Sequence, residues 1–237
     1  MNYQPALIPA TLVRRYKRFL ADVVTEKGET LTIHTSNTGS MLGCAEPGSR
    51  VWIRDSGNPE RKYPWTWELA TTESGSLVGV NTHLANSLVS EAIDNHIVSE
   101  FADITAVRKE VRYGNENSRI DLLLEQGMEH RQIYVEVKNV TASLQTGIAC
   151  FPDAVTARGT RHLRELARMV EEGHRAVIFF CVPREDIQQV RPADAIDSLY
   201  GETLREVLAK GVEAMAYGAR ITSSEIILNK CLPVVCP

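Results

Sequence analysis

The first third of the chain alternates apolar and polar residues with a period of two and has hardly any helical spacing. Leu31 and Ile33 alternate with polar neighbours in 30–35, Val51 and Ile53 share one face of 50–54, and Trp65, Trp67 and Leu69 alternate with Thr66, Glu68 and Ala70. Period two puts such residues on one side of a strand. Residues 11–24 read as one long first strand, turned back by Glu26-Lys27-Gly28-Glu29. Pro47-Gly48 introduces 50–54, and Glu73-Ser74-Gly75 leads into a last short strand at 77–80. Turn-forming residues between apolar runs are hairpin signals. Five short antiparallel strands in about 80 residues predict a small barrel, for which an OB-fold is the commonest solution of that size. A plain five-stranded sheet is the alternative.

After Asn81 the texture changes. Leu84, Ala85, Leu88 and Ala92 recur at helical spacing, with Asn81 placed to cap the first turn. Strand-like segments at 107–112, 119–125 and 132–139 follow, joined through Gly114-Asn115 and Gly127. Leu163, Leu166, Ala167 and Val170 form one face of an amphipathic helix that Gly173 stops. Residues 176–182 are a continuous apolar run, as expected of a strand covered on both faces. A helix around Leu204, Val207 and Leu208 and a strand at 212–217 complete the pattern. The expected architecture is a two-domain α/β chain: a small antiparallel β-barrel over 1–81, then an α/β domain with a mixed sheet over 82–237.

Composition narrows the class. The chain has 237 residues, 43% hydrophobic and 24% charged, which is ordinary for a globular protein and excludes a disordered or collagen-like one. Lysine and arginine total 26 against 30 aspartate and glutamate, a net charge of −4. That rules out a uniformly basic coat but leaves room for local basic patches. Five cysteines, an odd count with no C-x-x-C pair, speak against a disulfide framework and a standard zinc site and fit a reducing cytoplasm. The longest apolar run would span only about 10 Å as a helix, against about 30 Å for a bilayer core, so no membrane-spanning helix is expected. The N-terminus lacks the pattern of a secretory signal. Nucleotide-binding P-loop and dinucleotide glycine motifs, G-x-S-x-G and H-E-x-x-H are absent.

The segment with the most chemistry is Tyr134-Val135-Glu136-Val137-Lys138. Strand periodicity puts Val135 and Val137 on one side and Glu136 and Lys138 together on the other. A carboxylate and an ammonium aimed the same way from an apolar strand suit a hard divalent cation, with the lysine beside a metal-bound water. Asp121 enters the otherwise apolar preceding strand, where an unpaired acid is costly, and lies across a hairpin from Glu136 so that the two can share one ion. Glu91 borders the buried stripe of the first helix. Each residue alone has a plainer reading: Glu136 and Lys138 as an exposed ion pair, Asp121 paired to Arg119, Glu91 solvated. Together, a helix glutamate, a strand aspartate and a strand E-x-K after a hairpin follow the order of a nuclease core. On that reading Asp121, Glu136 and the carbonyl of Val137 ligate Mg²⁺ or Mn²⁺, Lys138 orients or deprotonates the attacking water, and Glu91 holds the outer water shell.

Two basic stripes complete the picture. Arg14, Arg15, Lys17 and Arg18 are interleaved with Tyr16 and Phe19 on the first strand, a pattern that suits backbone tracking and base stacking. Arg161, Arg164 and Arg168 line the polar face of the amphipathic helix, with His162 beside them. Solvated faces are the plainer alternative for both. Positive charge concentrated in an acidic chain points to DNA, contacted with little sequence preference. The rival class is a sugar- or protein-binding metabolic regulator using Trp65 and Trp67 as a stacking surface.

Seven strings carry a resemblance: RRYKRFLADV (14–23), NTGSMLGCAEPG (37–48), RKYPWTWEL (61–69), YGNENSRIDLLL (113–124), YVEVKNVT (134–141), FPDAVTARGTRHLREL (151–166) and RAVIFF (175–180). They closely resemble the sugar fermentation stimulation protein A family almost end to end, with Ser36 where the family usually has proline before Asn-Thr-Gly. The resemblance implies bacterial cytoplasmic proteins with an N-terminal OB-fold and a domain similar to PD-(D/E)XK nucleases. It further implies non-specific DNA binding and a regulatory role in sugar, notably maltose, utilisation. The nuclease-like pattern falls on Glu91, Asp121, Glu136 and Lys138.

Overall fold

The computed structural model describes residues 1–114 and 118–237. Its N-terminal strands are β1 (Ile8–Tyr16), β2 (Leu20–Thr25), β3 (Thr30–His34), β4 (Arg50–Asp55), β5 (Trp65–Thr71) and β6 (Leu77–Gly79). They run in the order β3-β2-β1-β4-β5-β6, and a β3–β5 pairing closes the first five into a barrel. Its core holds Leu12, Val23, Ile33, Val51, Ile53 and Trp67, each essentially free of solvent. Burying each such side chain contributes about 1.5–3 kcal/mol. The N-terminal domain is the OB barrel that the alternation predicts.

The strand count of five is reached by a different route from the one expected. The single strand expected at 11–24 is two strands, broken by a tight turn in which Lys17 and Arg18 have φ of 50° and 64°. No Asn-Gly or Asp-Gly marks this turn, so the apolar alternation runs through it unbroken. Arg15 holds it instead, donating to the Arg18 carbonyl at 2.6 Å. The fifth expected strand, β6, lies outside the barrel and leans on the second domain, with Gly79 N–H donating to the Pro183 carbonyl. The first residues of the expected 1–81 unit also reach across: Tyr3 sits in the second domain's core and its N–H bonds the Ser224 carbonyl.

The second domain opens with a short 3₁₀ turn, Thr82–Leu84, that the Asn81 side chain caps, and continues into α1 (Ala85–Asp94). A six-stranded mixed sheet follows, from β7 (Ile104–Tyr113), β8 (Ser118–Gln126), β9 (Arg131–Asn139), β12 (Arg175–Val182), β14 (Glu213–Ile221) and β15 (Ile226–Leu232). Their order is β15-β14-β12-β9-β8-β7, with the antiparallel meander β7–β9 joined to parallel β12 and β14. The Asn115 expected in the first meander turn lies outside the described residues. Helix α1 covers one face; α2 (Ala157–Glu171) and α3 (Ser198–Ala209) cover the other. The apolar run of β12 serves both layers, Val177, Phe179 and Cys181 toward α1 and Ala176, Ile178, Phe180 and Val182 toward α2. A small sheet of β10 (Ser143–Gln145), β11 (Ile148–Phe151) and β13 (Gln189–Pro192) packs beside it.

The loop after β3 fastens the two domains. Ser36, where proline is usual, accepts from Thr82 N–H and donates to Asn81, both at 2.9 Å, and Asn37 donates to Thr141 at 3.0 Å. No helix among the described residues is long and apolar enough to cross a membrane.

Candidate active site

The site forms where β8 and β9 part. Their ladder ends at the pair Leu122–Val135. Beyond it Val137 N–H donates to a side chain, Oδ2 of Asp121, at 2.8 Å. A carboxylate thus takes the place of the ladder carbonyl and is brought beside Glu136. Asn86 of α1 donates to the other oxygen, Oδ1, at 2.9 Å. Burial, and then the charge of Glu136, push the Asp121 carboxyl above the usual carboxylate range, against the hydrogen bonds from Val137 and Asn86.

Glu136 is 2% exposed. Its Oε1 takes Lys138 Nζ at 2.6 Å and also meets Nδ1 of His162. Arg158 Nε donates to the other ring nitrogen of His162 at 3.3 Å, which leaves the proton on Nδ1, facing Glu136. Burial alone would raise the Glu136 carboxyl; the adjacent Lys138 and His162 outweigh it and hold it below its ordinary range. Oε2 is buried with no hydrogen-bond partner. A desolvated carboxylate oxygen without a donor is costly, and here it lies beside a second carboxylate. The pair lacks positive charge.

Around it lie groups that the sequence pattern did not single out. Tyr113 at the end of β7 is buried with an unpartnered hydroxyl, and burial followed by the charges of Glu136, Glu165 and Asp121 raises its phenol. Glu165 of α2 is 1% exposed, with Oε1 on Arg168 at 3.0 Å and Oε2 unpartnered. Arg112 and Arg119 face one another across the β7–β8 hairpin, both exposed. Like charges directly opposite destabilise a sheet pair, and here neither has a partner among the described residues. His162, Glu165, Leu166 and Met169 recur at i, i+3, i+4 and i+7 and are all buried. That spacing is the signal that marks His162 and Glu165 as inward-facing.

Of the expected site residues, Asp121, Glu136 and Lys138 come together. Glu91 does not join them. It binds the Met1 ammonium at 2.7 Å, and Asn86 is the α1 residue that meets Asp121. Asn86 heads the buried stripe Val89, Ser90 and Ile93, which turns toward the sheet, whereas Glu91 points past it. The expected pairing of Asp121 with Arg119 is absent. His162, expected among DNA contacts, is 4% exposed and belongs to the carboxylate site. Arg161 and Arg164 are exposed on α2.

The basic first strand is also different from its reading. Arg14 pairs with Asp22 at 2.8 Å, Arg15 is tied to the carbonyls of Arg18 and Asn37, and Lys17 and Arg18 stand in the turn rather than on a strand. Phe19 beside them is 46% exposed. Trp67, half of the stacking surface a sugar binder would need, is wholly buried with its indole N–H on the Leu69 carbonyl.

Among the described residues no three His, Cys, Asp or Glu side chains are grouped to hold a metal. Two carboxylates with one orphaned oxygen fit Mg²⁺, which keeps several waters and takes one or two carboxylates.

Comparison with known proteins places this geometry. The family model for the sugar fermentation stimulation protein RE domain matches residues 83–225, and that for the SfsA N-terminal OB domain matches 13–80. The chain belongs to the sugar fermentation stimulation protein (SfsA) family. Its SfsA relatives include a sugar fermentation stimulation protein homolog of Thioalkalivibrio sulfidiphilus, 56% identical over 99% of this chain and 98% of that one. A homolog of Teredinibacter turnerae is 53% identical over 99% and 100%. The solved structure of Pyrococcus furiosus SfsA in complex with Ca²⁺ matches with a TM-score of 0.87 at 27% identity, covering 99% of this chain and 98% of that one.

Proposed function

We propose that this SfsA-family protein binds DNA with little sequence preference and hydrolyses phosphodiester bonds at the Asp121–Glu136–Lys138 site with a bound Mg²⁺ or Mn²⁺. The observation that carries this reading is the orphaned, buried Oε2 of Glu136 beside Asp121. Asp121, Glu136 and the Val137 carbonyl would hold the ion. When bound, it would polarise a phosphoryl oxygen and lower the pKa of its water. The SfsA of Pyrococcus furiosus was solved with Ca²⁺, a hard cation of the same ligand preference, which supports the choice.

The protein's own groups divide the remaining work. Lys138, fixed on Glu136 at 2.6 Å, orients the attacking water and takes its proton. His162 and Arg158 hold Glu136 so that Oε2 stays free. Arg112 and Arg119, with exposed Arg164, supply positive charge for the DNA backbone near the site, and Lys17 supplies it from the barrel. The role in maltose utilisation expected of the family would be exercised through this DNA contact.

The test incubates purified protein with single-stranded, duplex and branched DNA in Mg²⁺ and then Mn²⁺. Cleavage by the wild type and none by Glu136→Ala, with DNA affinity kept or raised, is the expected result. The same trace cleavage from both would make the site structural, and no DNA binding even at low salt would overturn the whole reading.

A further inference from the structure

The cleft at the domain seam has a chemistry that the carboxylate site does not use. It lies between the Gly39 loop of the barrel and Thr82, Asn139, Phe151 and Asp153 of the second domain, and encloses about 190 Å³. An apolar cavity of about 150 Å³ holds a benzene molecule. This one is sized for a single heterocycle and far too narrow for a duplex.

Its lining offers a ring, a donor and an acceptor. Phe151 is braced by Tyr200 and Phe180, with ring centroids at 5.2 and 6.0 Å. The Nδ2 donor of Asn139 is buried without a partner. Asp153 makes no hydrogen bond or ion pair among the described residues, and it lies so close to the barrel loop that a Cβ on Gly39 would come within 1.8 Å of its Oδ2. A free carboxylate in the lining repels phosphate and accepts from an amino group. An amide donor and a carboxylate acceptor beside an aromatic ring suit the edge and face of a nucleobase.

The position ties the cleft to the reaction. Asn139 directly follows Lys138 on β9, and Thr82 stands four residues before Asn86, which holds Asp121. A base seated here would leave its own backbone at the carboxylate pair, whose rim is cationic.

Resting on the DNA-hydrolysis reading above, we infer that this cleft is a subsite for one unpaired nucleobase, so that the protein prefers single-stranded ends or extruded bases to intact duplex. A base inside a duplex stack cannot enter such a pocket without being flipped out.

The test measures fluorescence anisotropy, without divalent metal, for a blunt 20-mer duplex, the same duplex with a three-nucleotide overhang, and the corresponding single strand. The wild type should bind overhang and single strand about tenfold more tightly than blunt duplex. Asp153→Asn and Asn139→Ala should each bring this preference close to parity while leaving blunt-duplex affinity unchanged, which also shows that the variants are folded. Equal affinity of the wild type for all three DNAs overturns the subsite and leaves DNA binding standing. A preference that survives both substitutions puts the unpaired base elsewhere and overturns it as well. Adenosine and cytidine at millimolar concentration form the last arm: saturable binding of either with no strand preference would make free nucleoside the occupant and overturn the strand subsite. If no DNA binds at all, both readings fail together.

Discussion

Glu68 and Glu136 are both buried strand carboxylates, one at the seam of the barrel and one in the second domain, and they differ in what is done for their oxygens. Glu68 on β5 has Oε1 on Arg54 at 2.7 Å and Oε2 on Asn81 at 2.9 Å. Glu136 on β9 has Oε1 crowded by Lys138 and His162 and Oε2 left bare. Taking a carboxylate out of water costs several kcal/mol unless hydrogen bonds and countercharge replace the solvent. Glu68 is fully supplied and fastens the domains. Glu136 is supplied on one side only, with a second carboxylate beside it, and that asymmetry is what separates a site from a structural pin.

The sharpest way to break the comparison is to remove each carboxylate. Glu136→Ala should lower metal-dependent DNA cleavage by about 10³-fold, measured under single-turnover conditions, with DNA affinity unchanged or higher. Glu68→Ala should lose about 3 kcal/mol of stability in urea unfolding, because Arg54 and Asn81 are left unpaired at the seam, yet the folded fraction should cleave at the wild-type rate. If the Glu68 variant loses cleavage while still folded, the seam and the site are not separate.

A smaller effect is expected from His162→Ala. Its ring only holds Glu136, so cleavage should fall by about 10–100-fold while the salt dependence of DNA binding stays the same. A change in salt slope instead would return His162 to the DNA contacts where the sequence pattern first put it. The smallest effect concerns single cations. Arg112→Ala and Arg119→Ala should each reduce the slope of log affinity against log salt by about 0.9 if each meets a phosphate. Arg14→Ala should leave the slope as it is, since Asp22 already neutralises that arginine. Filter binding across a salt series reads both.

The residues that could be read in advance are those whose neighbours in sequence are also their neighbours in space. Period two alone puts Glu136 and Lys138 on one face of β9, and they bond at 2.6 Å. The apolar run of β12 could be recognised as doubly covered because every position is buried. The barrel could be read strand by strand except where Lys17 and Arg18, in place of glycine or asparagine, make the turn. Strands β10, β11 and β13 are three or four residues long, too short for any period to show. The choice of Asn86 over Glu91 depends on where the Met1 ammonium docks, a contact between residues 90 positions apart. Likewise the bare oxygen of Glu136 follows from His162 on another element taking the opposite side, which no local pattern encodes.

The central claim is that Asp121 and Glu136 form a carboxylate pair waiting for a cation. Isothermal titration of Mn²⁺ into the DNA-free protein, its Asp121→Asn variant and its Glu136→Gln variant tests it without reference to turnover. One saturable site in the wild type, lost in both amide variants and unchanged in Glu91→Gln, is the predicted result. Binding that survives Glu136→Gln undiminished, or that disappears with Glu91→Gln, would contradict the account.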